Sequence, residues 1–300
     1  MLRFVLFALV FLYSLVLPAW GGGIALVLSD RGGMYSDFSN ALEDALAGTT
    51  WSVSGKFQAD TLPPLAGQAE LTVTVGSEAL RKTLGRGDNS PIIATLLPRQ
   101  SYEKILAEFR KPARITAIYL DQPPARQAAF INHLLPGLKR AGMLFSSETK
   151  NAAAQYRQAF SNAGLILDTE DADTENALLP ALNALLGRIN VLIAVPDSTI
   201  YHRNNIKPIL ITAFRYQRPV IGYSPAFVNA GALAALHSTP AQIARQTADM
   251  IVMHGTNLPN PTGPSQFAIA INSNVAQSLG LNIPDEATIR HAMLADKEVR

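Results

Sequence analysis

The chain has 300 residues, of which 48% are hydrophobic and 16% charged, and it contains no cysteine. This composition is typical of a folded globular protein that is held together by packing, and it argues against a disordered chain or a disulfide scaffold. The 25 basic and 23 acidic residues give a net charge of +2 without a Lys/Arg cluster, so nucleic acid is not expected as a partner.

The N-terminus has the pattern of a secretory signal peptide. A positive charge precedes an apolar stretch over residues 4–17, which Pro18 ends before several small residues. The stretch is shorter than the roughly 20 residues of a membrane-spanning helix. We predict a signal peptide over residues 1–21, with cleavage before Gly22 or after Ala19, and a periplasmic protein. An uncleaved membrane anchor is the alternative, and the lack of cysteine argues against a lipoprotein.

After the signal, short apolar segments alternate with segments of helical periodicity. The first predicted strand, residues 24–28, is apolar on both faces, as in a buried parallel strand. The spacing of apolar residues over 38–46 then predicts a helix that ends near Gly48. Further strands are predicted at residues 51–57, 71–75, 91–97, 115–120, 141–145, 165–167, 191–195 and 219–223, and helices at 127–135, at 151–163 and from about Ile206, just before Pro208. Nine such units are too many for one small sheet, so we predict two doubly wound, Rossmann-like α/β lobes with parallel sheets.

Polar loops follow four of the predicted strands. They are Ser29-Asp30-Arg31, Gly76-Ser77-Glu78, Ser146-Ser147-Glu148 and Asp197-Ser198-Thr199. Ligands of open α/β sheets bind outside the carboxyl ends of the strands, where amides of the next helix point outward. The same residue types also serve as helix N-caps, which is the simpler interpretation for any single serine. Taken together, the four loops predict one binding cleft.

Catalytic and metal-binding motifs are not supported. Ser224 lies in Gly-Tyr-Ser-Pro-Ala, which is similar to a hydrolase nucleophile elbow, but Pro225 lacks the amide N–H that an oxyanion hole requires. The five histidines lack the spacing of a metal motif. The acidic stretch over residues 168–175 lacks the pattern of a calcium loop, and Asp173 or Thr174 is expected to cap a helix there. We predict no enzyme activity, no metal and no cofactor.

Several segments of the second half occur in a recognisable order. They are LLPGLKRAGMLF at 134–145, VPDST at 195–199, RPVIGY at 218–223, NAGAL at 229–233, FAIAIN at 267–272 and LGLNIP at 279–284. This set resembles the ABC-transporter substrate-binding proteins related to the tryptophan/tyrosine binders, continuously over about 115–284 and more loosely over 24–98. The resemblance implies a type I periplasmic-binding fold, in which two lobes joined by a hinge of several strands hold the ligand between them. The sequence departs from the family at Leu97-Pro98-Arg99-Gln100-Ser101-Tyr102, where many members have a Gly-Asp-Pro turn that faces the cleft.

The expected organisation is an N-lobe of residues 22–117 plus about 238–300 and a C-lobe of residues 118–237. We expect a monomeric protein that captures a small organic solute, such as an amino acid or a related compound, and delivers it to the membrane permease of an ABC transporter. A binding lobe that signals to a membrane receptor or kinase is the alternative, and a periplasmic enzyme is a third. The predicted ligand-binding residues are Asp30, Arg31, Gly76, Ser77, Arg99, Ser146, Asp197, Ser198 and Ser224. For an amino acid, Gly76 and Ser77 would bind the carboxylate and Asp197 the ammonium.

Overall fold

The structure, a computed structural model, describes residues 21–62, 69–87, 90–109 and 114–296, in which the strands form two separate sheets. Apart from Gly21, the predicted signal peptide lies outside these residues. The first sheet is fully parallel and has the order β2-β1-β3-β4-β5. Its elements are β1 (Gly22–Leu28), α1 (Met34–Leu46), β2 (Trp51–Gln58), β3 (Leu71–Val75), α2 (Ser77–Gly85), β4 (Ile92–Leu97), α3 (Arg99–Glu108) and β5 (Ile115–Tyr119).

The second sheet has the order β11-β10-β9-β8-β6-β7 and is parallel except for the edge strand β11. Its strands are β6 (Arg140–Phe145), β7 (Ile166–Asp171), β8 (Val191–Ile193), β9 (Val220–Gly222), β10 (Ala234–His237) and β11 (Ala268–Ile271). The remaining helices are α4 (Pro124–Leu134), α5 (Ala153–Asn162), α6 (Glu175–Leu186), α7 (Arg203–Arg215), α8 (Pro225–Ala230), α9 (Pro240–His254), α10 (Ser273–Ser278) and α11 (Glu286–Ala295). No helix among the described residues combines the length and apolar character that a membrane-spanning helix needs.

Helices cover both faces of each sheet because successive residues of a strand point to opposite sides. In β4, Ile93 packs in the cluster that contains α1 and α9, whereas Ile92 packs with α2 and α3 on the other face. In β6, Phe145 packs with α4 and α5, whereas Leu144 packs with α6, α7 and α8. The prediction of two doubly wound lobes is therefore confirmed.

The chain after residue 238 is divided between the two lobes, which corrects the expected assignment of about 238–300 to the N-lobe. Helix α9 packs against α1 and belongs to the first sheet. Strand β11, however, pairs with β10, and α10 and α11 pack in the core of the second sheet. We call the first sheet with α1–α3 and α9 the N-lobe, and the second sheet with the other helices the C-lobe.

The lobes are joined by three chain crossings, at residues 120–123, 238–239 and 255–267. A buried polar group connects all three. The side-chain amide of Gln122 donates to Ser238 Oγ at 2.8 Å, and that hydroxyl donates to the carbonyl of Gln266 at 2.6 Å. Arg126 donates to Gln122 Oε1 at 3.0 Å and to the carbonyl of Pro264 at 2.8 Å. Because unpaired buried polar groups are costly, these bonds fix how the crossings lie against one another. We call Gln122, Arg126 and Ser238 the hinge cluster.

Candidate functional site

The two sheets present the same kind of ligand-binding edge. Without β11, both have the doubly wound order 2-1-3-4-5, in which the chain direction reverses beside the first strand. In the N-lobe this switch point lies between β1 and β3, and in the C-lobe between β6 and β8. The four polar loops predicted from the sequence follow these four strands. Ligands are expected at this edge because loops diverge there and leave a crevice.

The N-lobe wall begins at Gly76, which precedes α2. Gly76 has a φ of +90°, and a Cβ at this position would lie 2.6 Å from Ser29 Oγ, so only glycine fits. Ser29 Oγ accepts a hydrogen bond from the Ala79 amide at 2.9 Å and thereby caps the helix from the neighbouring loop. This arrangement brings Ser77 to the amino end of α2, where it lines the cleft.

Helix α3 supplies the rest of that wall. Its exposed Arg99 and Glu103 form an ion pair at 2.7 Å within the helix. Gln100 and Lys104 reach across to the C-lobe: the Gln100 side-chain amide donates to the carbonyl of Pro196, and Lys104 Nζ lies 3.4 Å from a carboxylate oxygen of Glu148. These two contacts join the lobes across the cleft.

The C-lobe wall is organised by Asp197, whose role differs from the one expected. Its side chain is only 2% exposed, and its carboxylate accepts hydrogen bonds from the Ser146 amide and hydroxyl at 3.2 and 2.8 Å and from the Thr149 hydroxyl at 2.5 Å. The amides of Thr199 and Ile200 donate to its other oxygen, each at 3.0 Å. The expected bond to a ligand ammonium is therefore replaced by bonds within the lobe, which tie the loop after β8 to the loop after β6.

Glu148 is the carboxylate that this network presents to the cleft. The amide and hydroxyl of Ser198 donate to its Oε2 at 3.2 and 2.7 Å, and its own amide donates to Ser146 Oγ at 3.1 Å. Burial alone would raise the pKa of Glu148, but the bonds from Ser198 and the nearby Lys104 outweigh burial and hold that pKa below its usual value. Glu148 is therefore ionised at neutral pH.

The cleft has a larger compartment of about 420 Å³ and a smaller one of about 140 Å³ closer to the hinge. The larger compartment is lined by Ser77, Arg81, Gln100, Ser101, Glu103, Lys104, Ile105, Ser147, Glu148 and Ser198. The smaller one is lined by Arg99, Gln100, Glu103, Asp121, Phe145, Glu148, Thr149, Asn151, Ala152, Gln155, Tyr156, Val195 and Pro196. The larger volume lies within the range of small-molecule sites.

Asp121 and Tyr156 lie next to each other in the smaller compartment. Burial raises the pKa of the Asp121 carboxyl, although the Arg99 amide donates to it at 2.7 Å. Burial also raises the pKa of the Tyr156 phenol, and the Asp121 charge adds to that rise. Burial keeps this phenol protonated, and Gln127, which donates a hydrogen bond to the Tyr156 oxygen at 3.2 Å, positions it and opposes part of the rise in pKa.

Three of the nine predicted ligand-binding residues line the cleft, namely Ser77, Arg99 and Ser198. Gly76, Ser146 and Asp197 lie beneath its walls and shape them. Asp30 and Arg31 are exposed beyond β1, and Ser224 precedes α8; these three are not among the residues that line the two compartments.

Sequence reasoning missed several residues that line the cleft. Gln100, Glu103 and Lys104 lie in and after the segment that replaces the family turn, and their spacing on one side of a helix was the available signal. Glu148 was noticed as part of its loop, but it was not separated from the neighbouring serines.

Comparison with known proteins identifies the family. Residues 64–293 match the family of ABC transporter substrate binding proteins, a span of well over half of the chain. The chain belongs to this family. The resemblance seen in the sequence is thus confirmed, and the chain is a member of a class that binds small solutes rather than one defined by catalysis. A search of curated protein sequences found no significant match.

Several solved structures share the fold. A conserved domain protein from Vibrio cholerae has a TM-score of 0.61 at 18% identity, with 90% of this chain and 98% of that chain covered. An ABC domain from Streptococcus pneumonia in complex with L-Trp has 0.59 at 19% identity, covering 89% and 98%. The ligand-free, open CD0873 from Clostridium difficile, a substrate-binding protein with adhesive properties, has 0.67 at 15% identity, covering 89% and 97%.

Proposed function

We propose that this ABC transporter substrate-binding protein works in the periplasm and captures an amino acid or a related compound between its lobes. The observation that carries the proposal is the cleft itself. Polar loops from the switch points of both sheets face each other across about 420 Å³, and the charged side chains of both lobes already meet there through Lys104 and Glu148.

An amino acid matches the charges on the two walls. Its carboxylate suits the N-lobe wall, where Ser77 lies at the amino end of α2 and Lys104 projects from α3. Its ammonium suits the C-lobe wall, where Glu148 is held in place. The similar Streptococcus protein is in complex with L-Trp, which supports the same general class of solute for this chain.

Export and delivery follow from the same proposal. The apolar stretch over residues 4–17 directs export, and the mature chain begins near Trp20 or Gly22. The closed, monomeric protein then delivers its solute to a membrane permease of the ABC transporter. N-terminal sequencing of the protein from an osmotic-shock fraction tests the first step, and an intact Met1 on membrane-bound protein would contradict it.

Solute binding is tested by thermal unfolding of the mature protein against amino acids, peptides, vitamins and sugars, followed by calorimetry of each solute that raises the midpoint. A solute at about 100 times its dissociation constant should add roughly 2.7 kcal/mol of stability, which is a few degrees for a chain of this length. Small-angle scattering should then show a smaller radius of gyration with the solute, because it favours the closed lobes. A panel in which no small solute raises the midpoint would reject the proposal.

A further inference from the structure

The carboxylate of Glu148 is held in the cleft by several hydrogen bonds. Two donors of Ser198, the amide and the hydroxyl, fix Glu148 Oε2. The serine loop beneath it is fixed in turn by Ser146, whose hydroxyl bonds to the buried Asp197. These bonds hold the Glu148 carboxylate in one position before a solute binds. Binding therefore requires little reorganisation of this group, as expected for a preorganised site.

The second oxygen of this carboxylate has only a loose partner. Lys104 Nζ lies 3.4 Å from Glu148 Oε1, which is longer than the 2.7–2.9 Å typical of a charge-assisted hydrogen bond. The Lys104 side chain is 65% exposed, whereas that of Glu148 is 21% exposed. Exposed ion pairs of this kind contribute little, so the lysine is easily displaced.

The arginines that line the cleft form ion pairs within the N-lobe. Arg99 and Glu103 neutralise each other at 2.7 Å on α3, and Arg81 is paired with Glu108 within the N-lobe. Among the ion pairs of the described residues, Lys104–Glu148 is the one that joins the lobes. The C-lobe therefore offers a fixed negative charge whose partner comes from the opposite wall.

We infer that Glu148 binds a positively charged group of the solute and that Lys104 occupies this place while the cleft is empty. The inference rests on the proposed solute-binding function and specifies its chemistry. When an ammonium group contacts Glu148 Oε1, Lys104 is released and remains close enough to pair with an anionic group of the same solute. The exchange conserves the charge balance of the cleft, so it favours a zwitterion over a neutral sugar or an anion.

The lining also restricts the rest of the solute. Ile105 is the one apolar residue of the ten that line the larger compartment, and the others offer hydroxyl, amide or charged groups. A large aromatic side chain would leave these groups without hydrogen-bond partners, which costs free energy for each one that is desolvated. The larger compartment therefore favours an amino compound with a polar remainder.

Matched probes test the inference. We would measure by calorimetry the binding of L-serine, L-glutamine and L-arginine, of L-tryptophan, of the 2-hydroxy acid counterpart of each, and of D-ribose. The expected result is that a polar amino acid binds at least tenfold more tightly than its 2-hydroxy acid counterpart and than L-tryptophan. If D-ribose or a 2-hydroxy acid binds as tightly or more tightly, the assignment of Glu148 is wrong while the solute-binding function stands. If no probe binds, both proposals fail for this class of solute.

The variant Glu148→Gln isolates the charge. Glutamine retains an acceptor for Ser198, so the empty protein should unfold within a few degrees of the wild type, while affinity for the amino acid that binds should fall about 10- to 100-fold. The matched control is Glu43→Gln, which removes a carboxylate that also pairs with a lysine but lines neither compartment of the cleft, and it should change affinity less than threefold. Equal losses in the two variants, or none in Glu148→Gln, would overturn the inference. The wild-type comparison of amino acid with hydroxy acid decides the question even if Glu148→Gln is unstable.

Discussion

Replacing Asp197 should damage the fold more than any other single change at the cleft. The carboxylate is 2% exposed and receives five hydrogen bonds, three of them from Ser146 and Thr149 and two from the amides of Thr199 and Ile200. A hydrogen bond to a charged group is worth about 1.5–3 kcal/mol, but five bonds to one carboxylate do not add. Asp197→Ala also lets water reach some of the freed donors, so we expect a loss of about 3–5 kcal/mol, the range for breaking a buried charged network. The thermal midpoint should fall by on the order of 10 °C.

Asp197→Asn is a milder substitution than Asp197→Ala, because asparagine keeps one oxygen as a hydrogen-bond acceptor. That oxygen can still accept from the amides of Thr199 and Ile200, and the hydroxyl of Thr149 can reverse its direction. The asparagine NH₂ then faces the Ser146 amide, whose remaining acceptor is Thr149 Oγ1 at 3.2 Å, and this approach of two donors should cost about 1–3 kcal/mol. Urea unfolding followed by circular dichroism measures both variants, and Asp173→Asn, an exposed acid that receives a bond from one loop amide, is the control. An Asp197→Asn protein with wild-type stability but reduced solute affinity would refute the structural role and restore Asp197 as a ligand contact.

Three further outcomes are expected elsewhere. Arg126→Met leaves buried acceptors of the hinge cluster without a donor and should lower stability by about 2–4 kcal/mol in urea unfolding; an unchanged midpoint would contradict the cluster's role. Because burial raises the pKa of Asp121, the folded state binds its proton more tightly than the unfolded state does, and stability should fall as pH rises from about 3.9 through the raised value. Asp121→Asn retains an acceptor for the Arg99 amide and should reduce that fall between pH 4 and 7, whereas an identical pH profile would remove Asp121 as its source. Lys104→Ala should change stability by less than about 1 kcal/mol, because an exposed ion pair contributes little, and a larger loss in urea unfolding would show that its contact with Glu148 is not easily displaced.

Buried strands were the most predictable part of the fold. The strand over residues 71–75 was predicted with the observed bounds, because it alternates Thr with Leu or Val, is rich in β-branched residues and lies between Glu70 and Gly76. Strand β10 was missed, since Ala234–His237 is short and rich in alanine, and its extended form is fixed by pairing with β9 and β11 rather than by its own side chains. Likewise, β11 belongs to the C-lobe because it pairs with β10, and the local sequence of β11 does not indicate this partner.

Capping residues and prolines in the sequence predicted only some of the helix starts. Thr174 caps α6 as expected, with its hydroxyl accepting from the Ala177 amide at 3.2 Å. Helix α7, however, begins at Arg203 rather than near Ile206, so Pro208 lies inside it. His202 Nδ1 accepts from the Asn204 amide at 3.4 Å, and the Asn205 side chain donates to the carbonyls of Thr199 and Ile200, so both residues tie the start of the helix to the preceding loop. Histidine is a weak cap in sequence statistics, so the earlier start was not predictable from propensity.

The location of the cleft followed from the sequence, but the role of each carboxylate did not. Asp197 and Glu148 both follow apolar strands, and local chemistry does not distinguish them. The difference arises because β6 and β8 are neighbours in the sheet, so their loops touch and one acid becomes the acceptor that joins them. Once Asp197 turns inward to bind Ser146, the hydroxyl of Ser146 is available to the amide of Glu148, and Ser198 closes on the Glu148 carboxylate. The buried acid thus positions the exposed one, so a substitution of Asp197 should lower the stability of the fold and also weaken solute binding by Glu148.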